Sequence, residues 1–289
     1  MNTTIYLDHN VIVGVAGLPA WTDAESELAC IERLRAQGVR FVLSAWHMYE
    51  LAKSGDVDNV RRYCAFVEAL QPLWANNPIA VKRAELLRFL GPSLGSTATD
   101  MPTIEPFSDS VDDMWASYGE SGIQSESFSG VVRALQADPG FLREINEAAN
   151  LTPEAIVTGR RAHQDGRLKQ AEPIIDREYF AGLLQCEPSD PRVNELLDDI
   201  KAVYCACPAI AVEDIITHVR VKESFTPRAA HASDLQHTLI ALAYCTAFVT
   251  DDKNLLENAR VTRNKLSLPT QLSRRPTGVS VRFQPKTQN

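Results

Sequence analysis

Residues 4–10 read TIYLDHN, a short apolar run that stops at Asp8. Near the other end of the chain, residues 246–252 read TAFVTDD, and this apolar run stops at Asp251 and Asp252. Short apolar runs of this kind are typical of strands buried on both faces of a parallel sheet. Because ligands gather where parallel strands end, the two stretches predict a site at one edge of a sheet.

Strands and helices alternate through the first quarter of the chain. The pattern predicts strands over residues 3–7 and 39–43 and helices over 23–37 and 56–70, with Ser44 as the N-cap of the helix that carries Glu50. The same alternation returns near the end, where an apolar helix over 233–245 leads into a strand over 247–250. This order predicts an α/β fold of Rossmann-like type, with a central parallel sheet flanked by helices.

The alternation stops between residues 75 and 207. An N-capping Asn, Thr or Asp followed by Pro predicts helices that start at residues 78, 153 and 191, and residues 91–130, rich in Ser, Pro, Gly and Asp, predict a long loop. We therefore interpret 75–207 as a helical insertion that divides the α/β domain into residues 1–74 and 208–289. A last strand is predicted near residues 279–283.

Composition limits the compartment and the chemistry. The chain has 289 residues, of which 45% are hydrophobic and 23% charged, and it has no apolar stretch long enough to span a bilayer. Its six cysteines form no Cys-x-x-Cys pair, which favours free thiols in a reducing compartment. These features predict a cytoplasmic protein without a membrane segment. A Gly-rich phosphate loop followed by Lys is absent, which argues against ATP-driven chemistry.

Charge is unevenly distributed along the chain. The formal net charge is −8, but residues 253–289 contain eight basic residues and one acidic residue, whereas residues 89–132 contain seven acidic residues and no basic one. A basic end beside an acidic site favours contact with a phosphate backbone. An ordinary solvated surface explains the same distribution, and the sequence leaves both interpretations open.

Two further acids complete a set of four. Glu50 lies in LSAWHMYEL at residues 43–51, and Asp234 lies in SDLQHTLIA at residues 233–241. Taken singly, each acid also has a structural interpretation, since Asp8 could brace a turn, Glu50 could be solvated on a helix, and Asp234 could cap one. Taken together with Asp252, they are acids that one sheet would bring close. Clustered carboxylates repel one another and favour a hard cation such as Mg²⁺ or Mn²⁺.

The four segments together resemble the PIN-domain nucleases, a Rossmann-like α/β family that includes the toxin ribonucleases of toxin–antitoxin pairs. The resemblance rests on Asp8 with Asn10 after the first strand, on Ser44 and Glu50 with Leu51, on Asp234 with His237 before an Ala/Leu-rich helix, and on Thr250 with Asp252. It covers about residues 1–74 and 208–285. His9 departs from the small hydroxyl residue usual in the family, and the insertion is far larger than in the small toxin members.

The resemblance implies a metal-dependent endonuclease that acts on RNA, with DNA as a further substrate to test. It implies that Asp8, Asp234 and Asp252 hold one or two Mg²⁺ or Mn²⁺ ions and that Glu50 completes the catalytic site. Asn10 and Thr250 would orient these acids, and Asp251 would cap the following helix or add a carboxylate. His237 is expected to be structural. Self-association and a protein partner such as an antitoxin, bound through the insertion, are left open.

Two other function classes remain at this point. A phosphatase of the haloacid-dehalogenase type also starts with a strand that ends in Asp, but it needs a second acid where this chain has Asn10. A non-catalytic binding module would keep the fold and use the helical insertion to recruit a partner.

Overall fold

A six-stranded sheet forms the centre of the molecule. The structure, a computed structural model, describes residues 3–17, 19–95, 101–119, 127–147, 175–222 and 230–281. The strands follow the order β4-β3-β2-β1-β5-β6, and neighbours are parallel except for the antiparallel pair β3 and β4. Their bounds are Thr4–Leu7 for β1, Arg40–Ser44 for β2, Leu73–Ala75 for β3, Phe107–Ser108 for β4, Ala247–Val249 for β5 and Gln271–Ser273 for β6. The predicted α/β class with a central, mostly parallel sheet is confirmed.

Helices cover both faces of the sheet. In the first half of the chain they are His9–Ala16 (α1), Ala24–Ala36 (α2), Ala45–Ala52 (α3), Val57–Leu70 (α4), Pro78–Leu90 (α5), Val111–Ala116 (α6), Phe128–Ala137 (α7) and residues 139–147 (α8). In the second half they are Arg177–Leu184 (α9), Pro191–Asp198 (α10), Ile200–Ala206 (α11), Pro208–Lys222 (α12), Ala230–Tyr244 (α13) and Lys253–Leu266 (α14), followed by a 3₁₀ turn at Pro276–Gly278.

Alternate residues of the central strands enter two different cores. Ile5 and Leu7 of β1 are fully buried in the core shared with α1 to α4 and α7. Tyr6, between them, points to the opposite face and packs with α12, α13 and α14. Because both faces of β1 are covered, the strand is apolar throughout, as the run at residues 4–7 predicted.

The predicted insertion packs in two ways. Phe107–Ser108 adds a strand to the sheet, and the buried residues Phe128 and Val131 of α7 lie in the same core as β1 and β2. In contrast, α9, α10 and α11 form a separate apolar cluster with α5 and with Ile210 of α12. The described residues of the segment 75–207 therefore belong partly to the α/β core and partly to a helical layer beside it.

Two local predictions are wrong. Residues 91–130 contain β4 and α6 and the start of α7, because Val111, Met114 and Phe128 supply the apolar contacts that a loop would lack. The last strand lies at Gln271–Ser273 rather than near 279–283, since β6 is a short edge strand of low hydrophobicity. Val279 and Val281 pack against the core without joining the sheet. The helix predicted from residue 153 lies outside the described residues.

Within the described part of the chain, no individual helix has both the length and the apolar character that a membrane crossing requires. Helices α11 and α12 reach that length and hydropathy when taken together, but the chain bends by 114° between them.

Candidate active site

Strands β1 and β5 bring distant carboxylates to the edge of the sheet at which its parallel strands end. They are neighbouring and parallel, and the amide of Asp8 continues their ladder by donating to the carbonyl oxygen of Val249 at 2.9 Å. Asp8 follows β1 directly, and Asp251 and Asp252 follow β5 and Thr250. We call this edge, together with the flanking Glu50 and Asp234, the acid edge.

Asp8 is the most deeply buried of the predicted acids, with 4% of its surface exposed. Its Oδ2 accepts a hydrogen bond from Thr250 Oγ1 at 2.7 Å, and its Oδ1 accepts from the amide of His9 at 2.8 Å. Burial raises the pKa of Asp8, although His237 and the Thr250 hydroxyl oppose that rise. Asp8 is also the N-cap of α1, so the structural role and the proposed site role coexist in one side chain.

Glu50 reaches the acid edge from α3. Its Oε2 lies 3.5 Å from His237 Nε2 and 3.5 Å from His9 Nδ1. Burial alone would raise the pKa of Glu50, but His237 above all, with His9 and His47, outweighs it and leaves the pKa well below its ordinary value. Glu50 is therefore an ionised carboxylate facing the interior of the site, not a solvated helix residue.

Asp234 lies in the first half of α13 and interacts electrostatically with the other acids. Burial raises its pKa to about 7; Arg220 opposes this rise, and the negative charges of Asp8 and Asp252 add to it. A carboxyl group with a pKa this high is about half protonated near neutral pH, chiefly because burial disfavours its charged form and secondarily because Asp8 and Asp252 are nearby. Asp8, Asp234 and Asp252 thus belong to one electrostatic cluster.

His237 is the basic residue of this cluster. It is 1% exposed, and its Nε2 lies 3.5 Å from Glu50 Oε2 and 3.9 Å from Asp8 Oδ1 without forming a well-aligned hydrogen bond among the described residues. Burial alone would lower the pKa of His237, but Glu50, Asp8 and Asp234 raise it above its ordinary value. The imidazolium therefore neutralises part of the carboxylate charge, a role that the structural expectation for His237 did not include.

A buried hydrogen-bond chain fixes the orientation of His237. Its Nδ1 lies 2.6 Å from Tyr6 Oη, and Tyr6 Oη donates to Ser44 Oγ at 2.9 Å. His47, on the same helix turn as Ser44, accepts from the Ser44 amide at Nδ1 (3.0 Å) and donates from Nε2 to the Leu7 carbonyl oxygen (2.8 Å). This pattern assigns a neutral His47, in agreement with burial, which lowers its pKa well below the ordinary value.

The predicted supporting residues occupy distinct positions. Besides bonding Asp8, Thr250 Oγ1 accepts from the amide of Asp252 at 3.2 Å. Asn10 Oδ1 accepts from the amide of Asp251 at 3.0 Å. Asp252, rather than Asp251, is the N-cap of α14, because its Oδ1 accepts from the amides of the second and third helical residues. The carboxylate of Asp251 pairs with arginines that follow β6.

Sequence reasoning missed the histidines as a group. Four of the six histidines lie within three residues of a predicted acid: His9 beside Asp8, His47 before Glu50, and His231 and His237 on either side of Asp234. His9 extends the network outward, since its Nδ1 lies 3.0 Å from Tyr63 Oη as well as near Glu50. This repeated pairing of histidine with acid was the available signal.

The acid edge offers the type of ligand that a hard divalent cation prefers, but the described side chains do not converge on one point. Carboxylate oxygens are the preferred ligands of Mg²⁺ and Mn²⁺, and burial raises the pKa values of two of these acids, Asp8 and Asp234. Among the described residues, no three His, Cys, Asp or Glu side chains converge closely enough to hold a metal ion. The imidazolium of His237 lies between Asp8 and Glu50, where it supplies positive charge.

Comparisons with models of protein families, with curated proteins and with solved structures found no match to this chain. The sheet establishes an α/β protein with a carboxylate cluster at the edge where its parallel strands end, and the PIN-domain family stays a resemblance carried by the four sequence segments.

Proposed function

We propose that this chain is a metal-dependent endonuclease that cleaves phosphodiester bonds, with RNA as its first substrate. One observation carries the proposal: Asp8 and Asp252, more than 240 residues apart, follow neighbouring parallel strands and are linked by Thr250 Oγ1, which donates to Asp8 Oδ2 and accepts from the Asp252 amide. Acids gathered where parallel strands end are typical of ligand sites, and Asp234 lies close enough for both charges to affect its pKa.

Asp8, Asp234 and Asp252 would hold Mg²⁺ or Mn²⁺, with Glu50 completing the set. A bound ion would lower the pKa of a water molecule and neutralise charge on the leaving oxygen. The chain's own contribution is orientation: Thr250 holds Asp8 through Oδ2 and fixes the backbone of Asp252. Partners of this kind typically change metal affinity or activity by about 10- to 100-fold.

His237 has a proposed role that follows from its position. Its imidazolium contributes positive charge between Asp8 and Glu50 and so holds the carboxylates together when no other cation is bound. Tyr6 and Ser44 keep the ring in that orientation. Together they preserve the arrangement of the acids for the ligand that the site would take.

The phosphatase alternative receives less support from the local contacts. A phosphatase of this type needs a second acid at the position of Asn10. The Asn10 side chain cannot exchange a proton, and its Oδ1 accepts a hydrogen bond from the amide of Asp251. The non-catalytic alternative is kept as an outcome of the experiment. The proposal keeps the predicted cytoplasmic location, a compartment that contains RNA.

The test is cleavage of matched single-stranded RNA and DNA with Mn²⁺, Mg²⁺ or chelator. We expect metal-dependent cutting by the wild type and none by Asp8→Asn combined with Asp234→Asn, whose fold is checked by circular dichroism. Equal cutting by both proteins identifies a contaminant and contradicts the proposal. A folded wild type that cuts neither substrate and binds no Mn²⁺ in calorimetry supports the non-catalytic module instead.

A further inference from the structure

Two arginines follow the strand next to the acid edge. Strand β6 runs parallel to β5 and ends at Ser273, so Arg274 and Arg275 emerge on the same side of the sheet as Asp251 and Asp252. The amide of Thr250 donates to the Ser273 carbonyl oxygen at 3.0 Å, which fixes the start of this segment against the end of β5. We call Arg274 and Arg275 the arginine pair.

The arginine pair shares one carboxylate. Arg275 Nη1 lies 2.7 Å from Asp251 Oδ1, and Arg274 Nη2 donates to the same oxygen. Arg275 Nε also lies 3.8 Å from the carboxylate of Asp23, whose side chain is 51% exposed and therefore well screened by water. Two guanidinium groups on one partly buried carboxylate leave positive charge at this corner of the acid edge.

Arg275 is held in place by an aromatic ring. Its guanidinium carbon lies 3.5 Å from the centroid of the Trp21 ring, a cation–π arrangement. Trp21 packs against Gly14 of α1, where a Cβ atom would come within 1.9 Å of the ring. Glycine therefore allows the ring to lie against α1, and the ring in turn fixes the guanidinium beside Asp251. A surface ion pair alone would not need this support.

Arg274 is the more accessible member, with 47% of its side chain exposed. A guanidinium carries five N–H donors in a planar fork that matches two oxygens of a phosphate, and the contact with Asp251 uses Nη2. The acids of the site repel a polyanion, so a substrate strand needs a cationic group close to the edge in order to approach it.

We propose that the arginine pair binds a backbone phosphate of the nucleic-acid substrate, with Arg274 making the contact and Arg275, Trp21 and Asp251 positioning it. This inference rests on the proposed nuclease function. It adds the position of the nucleic-acid strand, which would run along the side of the acid edge next to β6. Asp251 then acts as the holder of the arginine pair rather than as a helix cap or an additional metal ligand.

The experiment measures binding of a fluorescent single-stranded RNA of mixed sequence by anisotropy, in chelator so that no cleavage occurs. We expect Arg274→Gln to weaken binding by about tenfold and to lower the slope of log affinity against log salt by about 0.7, the contribution of one phosphate contact on a single strand. Arg274→Lys keeps the charge but lacks the planar fork of donors. It should therefore keep the wild-type salt dependence but bind RNA less tightly than the wild type.

Arg263→Gln is the matched control. It removes the same charge from the exposed C-terminal part of α14, ten residues after the helix begins and therefore about 15 Å from the acid edge. We expect it to leave affinity and slope unchanged. An unchanged affinity for Arg274→Gln, or an equal loss for Arg263→Gln, overturns the inference.

Cleavage with Mn²⁺ on the same proteins separates this inference from the proposed function. A wild type that cuts RNA while Arg274→Gln binds normally contradicts the phosphate contact and leaves the nuclease intact. A wild type that binds RNA through Arg274 but cuts nothing contradicts the nuclease and keeps the phosphate contact. A wild type that neither binds nor cuts contradicts both.

Discussion

Asp234 at the acid edge and Glu85 beneath the helical layer make an instructive pair. Both are carboxyl groups whose pKa is raised to about 7, and burial is the largest cause for each. Glu85 is the more buried, at 1% exposure. Judged by pKa alone, the two groups would be equally strong candidates for a functional site.

Their surroundings separate them. Glu85 reaches from α5 to the start of α12, where its Oε1 accepts from the amide of Ala209 at 3.0 Å and from the hydroxyl of Tyr244. It therefore caps α12, a position that favours a negative group. Asp234 instead shares its site with Asp8 and Asp252, and like charges contribute to its raised pKa.

The cause of a raised pKa is more informative about function than the size of the shift. Glu85 accepts two hydrogen bonds through Oε1 at the start of a helix, which gives it a structural role, although its Oε2 has no hydrogen-bond partner among the described residues. Asp234 is buried near other carboxylates, and a perturbed acid in such a cluster is a candidate for ligand binding. The same argument makes His237, which lies among these acids, more informative than a lone buried histidine.

The largest expected difference between the two carboxyl groups concerns cleavage. Asp234→Asn should lower RNA cleavage by about a hundredfold or more, because it removes a proposed ligand rather than a supporting residue. Glu85→Gln should leave cleavage unchanged. Single-turnover cleavage assays with Mn²⁺ measure both. Equal loss of cleavage in two well-folded variants would remove the distinction between the two regions.

The two central strands and the acids that follow them could be predicted from the sequence. The apolar runs at residues 4–7 and 247–249 are buried on both faces, so their period and their terminal acids were readable without tertiary information. Asn77 with Pro78 and Asp190 with Pro191 likewise start helices as predicted, and each cap side chain bonds the second helical amide.

The parts that depend on long-range contacts were not predictable in the same way. Strand β4 has two residues and exists because β3 pairs with it. Glu85 and Tyr244 meet across 159 positions of sequence, and neither residue has a local signal for the contact. The role of His237 likewise arises from Tyr6 and Glu50, which other elements supply.

Removing the histidine partner tests whether the acid edge depends on internal charge balance. His237→Ala should lower the free energy of unfolding by about 3 to 5 kcal/mol in chelator, because it leaves buried carboxylates without their cation. His218→Ala is the counterpart in the helical layer. It should cost about 1 kcal/mol, since Asp214 keeps its bonds from the Ile175 amide and the Tyr204 hydroxyl.

Urea unfolding of both variants, below the ordinary pKa of histidine, gives the comparison. Asp8→Asn combined with His237→Ala should lose less than the sum of the two single changes if the residues interact directly. Strict additivity would show that His237 stabilises the site by packing rather than by charge.

The pH dependence of stability should differ between the two regions once metal is added. Glu85 has a pKa raised from 4.5 to about 7, so the folded state holds its proton more tightly than the unfolded state does. Its contribution is fully present below pH 4.5 and is lost as pH rises through about 7, an effect of about 3 kcal/mol. Glu85→Gln should flatten this part of the stability profile.

Asp234 contributes with the same sign, from its ordinary value of 3.8 up to about 7. Saturating Mn²⁺ should suppress the Asp234 contribution, because a bound cation displaces the proton, and should leave the Glu85 contribution in place. Unfolding titrations with and without Mn²⁺ measure this. A Mn²⁺ effect that persists unchanged in Asp234→Asn would contradict the assignment of that acid as a ligand.

The smallest effects come from two tyrosine hydroxyls, one in each region. Tyr6→Phe removes the hydrogen bonds to His237 and Ser44 and should cost about 1 to 2 kcal/mol of unfolding free energy. Tyr244→Phe removes the bond to Glu85 and should cost about 1 kcal/mol. Tyr244→Phe removes a donor to Glu85 and so should raise the pKa of Glu85 further without altering cleavage. Tyr6→Phe frees the Nδ1 side of His237 and should lower cleavage as well as stability. Since the two changes are chemically identical, a difference in cleavage isolates what the hydroxyl does at the acid edge from what any buried hydroxyl does for the fold.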